Sequence, residues 1–281
     1  MPDRRTVAAA LTLAGRAPSR RNTQPWRWRV SDRGVDLYLD PRCSPFETDP
    51  ASRDAILGCG IALHHASVAF AAAGWATVVR RLPDPARPGL LASIRLVPHR
   101  ATMLEKPLRD AITERRSDDR PYQRRPIPAG YLSLFRERAA ALGGLVQLVS
   151  DSDREQLAAY AGSPLPKVTC ASGSALAEME APVADYAELF VAGTPGDDAL
   201  SRLRAGESIS AVLLTATNIG LATCLLTEPL ASRRAVIRTE ILGGTAHPHA
   251  LLRVGWAPDT GDPPAVTSRC PVEDLILPEH Q

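Results

Sequence analysis

Lysine is almost absent from this sequence. Lys106 and Lys167 are the only two among 33 basic residues, and all the others are arginine. Charge of one sign is missing too: the formal net charge is +2 over 281 residues. No global field therefore points to nucleic acid or to an anionic membrane surface. No apolar run reads as long enough to span a bilayer. The first residues lack a secretory pattern, since Arg4 and Arg5 precede a mixed stretch holding Thr6, Thr12 and Arg16. Cys43, Cys59, Cys170, Cys224 and Cys270 are scattered without C-x-x-C spacing. An odd, unclustered set reads as reduced thiols in the cytoplasm, not as a disulfide framework or a zinc site. Short-period repeats are lacking. Ser172-Gly173-Ser174 is not a G-x-S-x-G elbow, so no hydrolase triad is expected. His64 and His65 are adjacent on an apolar segment and point to different faces, which favours packing over metal binding.

What is present suits a folded protein: an apolar fraction of 44% supports a sizeable core. Arginine supplies planar forks for phosphate or carboxylate. Thr6 to Ala14 reads as a short helix, closed by Ala17-Pro18-Ser19. Trp26 to Val30 and Val35 to Leu39 alternate about Ser31-Asp32-Arg33-Gly34 and read as a hairpin. Asp49-Pro50 opens a long, almost uncharged helix with Gly74 as its stop, so that helix is buried on most of its surface. Thr77 to Leu82 and Leu91 to Val97 follow as strands. Helices are then expected over Glu105 to Arg116, Tyr131 to Leu142, Asp151 to Ala161, Ala175 to Val191, Glu207 to Ile219 and Pro229 to Leu242. Pro182 should kink the fourth of these. Leu145 to Val149 and Ala250 to Gly255 read as strands, His247 and His249 as loop residues, and the tail after Ala257 as a surface segment. Hairpins mixed with runs of helices argue for an α+β protein with helices packed on mainly antiparallel sheet. The composition shift near residue 100 divides the chain into 1–103 and 104–281.

Four stretches carry chemistry. Ala17-Pro18-Ser19-Arg20-Arg21-Asn22-Thr23-Gln24-Pro25-Trp26 gathers backbone N–H groups, Ser19, Asn22 and Gln24 in one loop. It also reads as an ordinary helix-to-strand connector with a core tryptophan. Arg115-Arg116-Ser117-Asp118-Asp119-Arg120-Pro121-Tyr122 offers forked donors for a phosphate, or a solvated helix end. Gly220 to Pro229 ends with Thr227 and Glu228 at an apparent helix start, and Pro264 to Pro271 places Arg269 on the tail.

The first stretch resembles the A-P-S-x-x-N-x-Q-P-W signature of the FMN-dependent nitroreductase superfamily, and the second resembles its R-x-S-x-[RK]-x-F element. The resemblance implies a nitroreductase-like fold and FMN as cofactor. Pro18, Ser19, Arg20, Asn22 and Gln24 would lie against the flavin, and Arg115, Arg116, Ser117 and Arg269 at its phosphate and ribityl chain. Thr227 and Glu228 would supply a backbone N–H to flavin N5. In an ordinary member the R-x-S element opens the subunit and the loop follows; here the loop comes first. That order resembles the Acg family, in which one chain mimics the dimer, so two pseudo-symmetric halves and a monomer are expected. Gly162 to Gly206, where such proteins carry a lid-like insertion, looks trimmed. The implied activity is hydride transfer from NAD(P)H through the flavin to an organic acceptor, with no side chain acting as acid or base. The alternative is a flavin-binding or sequestering protein with little turnover, because Asp119 stands where the family usually has Arg or Lys. Arg120 is the neighbouring cation that could replace it. A flavin-free interaction module is the third reading.

Overall fold

The structure is a computed structural model that describes residues 1–43, 52–154, 185–227, 230 and 233–278. It contains two antiparallel four-stranded sheets. The first runs β1 (Trp26–Ser31), β2 (Gly34–Leu39), β4 (Leu90–Pro98) and β3 (Trp75–Arg81). The second runs β5 (Leu145–Leu148), β6 (Glu188–Thr194), β8 (His247–Gly255) and β7 (Ala222–Leu226). Each sheet has a long helix between its second and third strands: α2 (Arg53–Ala72) in the first, α5 (Ala199–Asn218) in the second. Shorter helices precede the sheets, α1 (Arg4–Ala14) before the first, α3 (Glu105–Glu114) and α4 (Ala129–Ala140) before the second. The hairpin pairs Ser31 with Gly34 and Trp26 with Leu39, which buries Trp26, Trp28, Val35 and Leu37 on one side. Helix α1 starts where Asp3 accepts the Thr6 N–H at 2.7 Å, an N-cap that satisfies one orphan donor.

The two long helices cross at glycine. A Cβ on Gly60 would lie 2.1 Å from the Leu203 carbonyl oxygen, and one on Gly206 would lie 2.1 Å from that of Leu57. The contact is reciprocal: position 60 meets 203 and 206, and position 206 meets 57 and 60. Reciprocity of this kind is the mark of a two-fold axis. The same spacing carries Gly74 (φ +87°) onto Gly220 (φ +83°), each opening the third strand of its sheet. It carries Ala76-Thr77 onto Ala222-Thr223, and His64 onto Ser210, whose hydroxyl lies 2.8 Å from His64 Nδ1 across the axis.

Several expectations are corrected. Helix α2 has the length and composition of a membrane span, against the reading that no run does; 78% of that window is buried inside the protein, and its apolarity serves the helix crossing. The helix expected over Ala175 to Val191 gives way to β6 from Glu188. Leu189 to Ala192 is a continuous apolar run at the centre of the second sheet, and such a run has no period to distinguish strand from helix. Helix α5 begins at Ala199, not Glu207, because Asp198 caps it by accepting the Ser201 N–H at 2.7 Å. Between Pro229 and Leu242 the described helical residues are Leu230 in a 3-10 turn, the turn Arg234–Val236 and a π turn, Ile237–Ile241. Strand β8 starts at His247; His249 is buried in it, with Nε2 2.6 Å from Thr194 Oγ1. Helix α3 stops at Glu114. The tail docks: Leu275 is buried, and the Leu277 N–H donates to the Trp28 carbonyl at 2.7 Å. The helix expected over 151–161 beyond Arg154, Pro182, Ser172 to Ser174 and residues 162–184 of the segment expected to be trimmed fall outside the described residues.

Candidate functional site

At Arg115 (φ −55°, ψ 128°) the chain leaves α3 and becomes extended. Ser117 then bridges Thr223 in parallel, and the Asp118 N–H donates to the Thr223 carbonyl at 3.0 Å. The segment is therefore laid along β7, the edge strand of the second sheet. Arg115 is 6% exposed and reaches Ser117 Oγ at 3.4 Å. Tyr122 and Arg253 fix the segment's far end. Tyr122 donates its hydroxyl to the Asp118 carbonyl at 2.8 Å, and Arg253 lies 4.7 Å over the Tyr122 ring while pairing with Asp185 at 2.7 Å.

The loop after α1 arrives from the other half. Arg21, Asn22 and Gln24 all hold positive φ (49°, 57° and 48°), a conformation that costs non-glycine residues and persists only when neighbours hold it. Ser19 Oγ accepts the Gln24 N–H at 3.0 Å. Asn22 Nδ2 donates to the Ser268 carbonyl at 3.0 Å, and Arg269 donates to Asn22 Oδ1 at 3.0 Å. Gln24 Oε1 accepts the Cys270 N–H at 2.9 Å. The polar residues of the loop thus stitch it to the tail. Pro18 is buried beneath it. Arg20 pairs with Asp54 at 3.2 Å, near the start of α2.

These two pieces bring together Arg16, Arg115, Arg116 and Arg269. Among the described residues, none of the four guanidiniums meets a carboxylate. Arg16, Arg116 and Arg269 donate instead to backbone carbonyls, Arg16 to Thr113 at 3.3 Å, Arg116 to Thr113 at 2.6 Å and Arg269 to Arg16 at 3.3 Å, and Arg115 to the Ser117 hydroxyl. Nε of Arg16, Arg115 and Arg269 is buried without a partner. Burial pushes Arg115 down to about 10, and the charges of Arg269, Arg116 and Arg16 push the same way. Arg269 is lowered by burial and then by Arg16 and Arg116. His65 is fully buried nearby; burial first, then Arg115, hold it well below its ordinary range, so it stays neutral. Uncompensated positive charge with orphaned buried donors suits a multiply charged anion with several acceptor oxygens.

Of the sequence-predicted residues, Asn22, Gln24, Arg115, Arg116, Ser117 and Arg269 converge on this cleft. Thr227 follows β7, with its carbonyl accepting the Leu230 N–H at 3.2 Å. Glu228 lies outside the described residues. Arg120 does not stand in for a cation at position 119: it forks onto Asp118 at 2.7 and 3.0 Å and donates to the Asp262 carbonyl at 3.0 Å. Arg16 was missed by the sequence reading, although it stands two residues before Pro18 at the end of α1.

The chain is 38% identical, over 98% of its own length and 92% of the relative's, to the Mycobacterium tuberculosis protein named "Putative NAD(P)H nitroreductase Rv3131". It is 35% identical to "Putative NAD(P)H nitroreductase acg" of the same organism, over 96% of this chain and 95% of that one. The chain belongs to the Acg-like nitroreductase family. No family model matches it. Among solved structures, a "putative nitroreductase" from Anabaena variabilis aligns with 92% of this chain and 90% of its own at a TM-score of 0.61 and 11% identity, a likeness of fold. In this Acg-like chain Asn22, Gln24, Ser117 and Arg269 tie loop, tail and β7 around the arginine cluster.

Proposed function

We propose that this Acg-like protein is an FMN-dependent NAD(P)H oxidoreductase with one flavin site, between halves made of residues 1–103 and 104–281. The observation that carries the reading is the arginine cluster with its orphaned buried Nε atoms, which fits the dianionic phosphate of a flavin nucleotide. Arg115, Arg116 and Arg269, with Arg16, would hold the phosphate, and Ser117 the ribityl chain. Pro18, Ser19, Asn22 and Gln24 would wall the ring from the first half, with Arg20 steadying the loop through Asp54. Thr227 and Glu228 would contribute backbone at the ring's reactive edge. Bound FMN supplies hydride acceptance from NAD(P)H and delivery to a small organic acceptor. The chain's own part is to bind, to orient and to hold charge, and no side chain is assigned as acid or base. The internal two-fold already buries a dimer-like face, which supports a monomer, and the scattered thiols support a cytoplasmic location.

The test is a flavin fluorescence titration of Arg115→Ala and Arg269→Ala. Each should bind FMN at least tenfold more weakly while keeping the fold, in line with a charge-assisted hydrogen bond of about 1.5–3 kcal/mol. Wild-type affinity in both variants would overturn the site.

One observation favours a second reading, a flavin-binding protein with little turnover. Asp119 stands at the usual basic position, and Arg120 is committed to Asp118. A carboxylate near the ring opposes the negative charge that reduction adds. Anaerobic reduction of the flavin-loaded protein by NADH and NADPH separates the two. Fast bleaching supports the oxidoreductase; no bleaching in wild type with bleaching in Asp119→Lys supports storage.

A further inference from the structure

The two-fold that relates the halves carries the arginine cleft onto a second place. The end of α1 maps to the end of α4, β7 maps to β3, and α2 maps to α5. At that place the structure has a cavity of about 530 Å³, lined by Leu142 after α4, by Ala76, Thr77, Val79 and Arg81 of β3, and by Glu207 of α5. Its volume is in the range of small-molecule sites. The remaining walls come from α2, through His64, Val68 and Ala71, and from α3 with His99 beside it.

The charges of this cavity are settled internally. Arg81 forks onto Glu207 at 2.7 and 2.8 Å. His99 Nε2 lies 2.9 Å from Glu105 Oε1. His64, lowered to about 4 by burial and then by Arg138, is neutral and bonded to Ser210. Arg81 stands at the position that answers Thr227. Among the described residues that line the cavity, a flavin phosphate finds no uncompensated arginine, and a carboxylate ligand would have to displace Glu207 from a doubly bonded arginine. What the cavity offers is an apolar wall with polar edges from Thr77, His99 and the outer side of the Arg81–Glu207 pair.

We propose that this cavity is a second small-molecule site, for an uncharged ligand with an apolar body and a hydrogen-bonding edge. It is independent of the flavin reading, since none of its lining residues belongs to the arginine cleft.

The probe is lumichrome, an uncharged fluorescent heterocycle without a phosphate, titrated into the purified full chain and followed by fluorescence anisotropy. Wild type should bind it saturably at one site. Ala71→Phe and Ala76→Phe fill the cavity and should weaken binding about tenfold or more, with the fold checked by circular dichroism. Arg115→Ala should leave it within about twofold. On the wild type alone, lumichrome should slow amide exchange in residues 75–81 and 105–108, and not in 115–117 or 222–226. No saturable binding overturns the proposal. So does unchanged binding in a folded cavity-filling variant, or protection and Arg115 dependence at the arginine cleft.

Discussion

The two sides of the internal two-fold share a backbone and differ in charge. On one side, Arg16, Arg115, Arg116 and Arg269 face no carboxylate among the described residues, and three of their Nε atoms are buried without partners. On the other side, Arg81 and Glu207 satisfy each other, and His99 and Glu105 do the same. Strand order, helix placement and even the glycines before β3 and β7 are alike. The difference shows what fixes a binding site in a duplicated fold. The framework supplies two related places; unbalanced charge fits one of them to an anion, and paired charge fits the other to a neutral ligand. Stability and binding therefore pull apart here. A buried, uncompensated arginine is costly to the folded protein until an anion arrives.

The largest effect should come from breaking the two-fold itself. Gly206→Val puts a branched side chain against the Leu57 carbonyl, which stands 2.1 Å from the Cβ position. Backbone cannot swing aside as a side chain can, so urea unfolding should show a loss of about 3 kcal/mol, the upper end of overpacking. A loss under about 1 kcal/mol would mean that the crossing is not as close as described. Next in size is Arg115→Met, whose two effects should have opposite sign. Flavin affinity should fall about ten- to a hundredfold, while the flavin-free protein becomes as stable as wild type or more so, because a desolvated charge is gone. A variant that loses stability without flavin would show that Arg115 is a structural residue. On the neutral side, Glu207→Gln should act in reverse. Glu207 is 2% exposed and removing its charge leaves the Arg81 fork half satisfied, so stability should fall by about 1–3 kcal/mol with flavin affinity unchanged.

One side of this contrast was legible in the sequence, and the missing parts have physical reasons. The loop from Pro18 to Trp26 and the element from Arg115 to Ser117 stood out by their residue types, but only the resemblance to family motifs favoured a ligand site over a plain connector and a solvated helix end. Arg269 was readable only through the family resemblance, since a single arginine on a tail has no local signature. Arg16 escaped because its role depends on where α1 stops, not on any neighbour in sequence. The second sheet was the least legible. Leu189 to Ala192 is buried on both faces of a central strand, so it carries no alternation to distinguish it from helix. The start of α5 was placed too late because Asp198, its cap, sits in a Gly-Asp-Asp stretch that also reads as loop. The duplication itself was invisible as a short repeat: over the long helix and the strand after it the shared positions are Leu57/Leu203, Gly60/Gly206, Gly74/Gly220 and the Ala-Thr pair, and the polar and charged residues between them have diverged.

The smallest expected effect tests a tie that has no mirror image. Asp197 receives both ends of the Arg53 guanidinium at the first turn of α2 and lies 3.6 Å from Arg202 on α5. The position answering Arg53 in α5 is Ala199, so nothing equivalent can form on the other side. Burial pushes the Asp197 carboxyl up, but the Arg53 fork and the charges of Arg53 and Arg202 outweigh it and hold the group at about 2, below its ordinary 3.8. A folded-state value below the unfolded one means that the carboxylate stabilises the protein above pH 3.8, and that this contribution drains away as the pH falls towards about 2. Asp197→Asn should therefore lower the melting temperature modestly at neutral pH. The gap to wild type should narrow between pH 3.8 and 2, as wild type itself becomes protonated. A gap of constant size across that window would assign the loss to packing, and the two helix starts would then be joined by shape and not by charge.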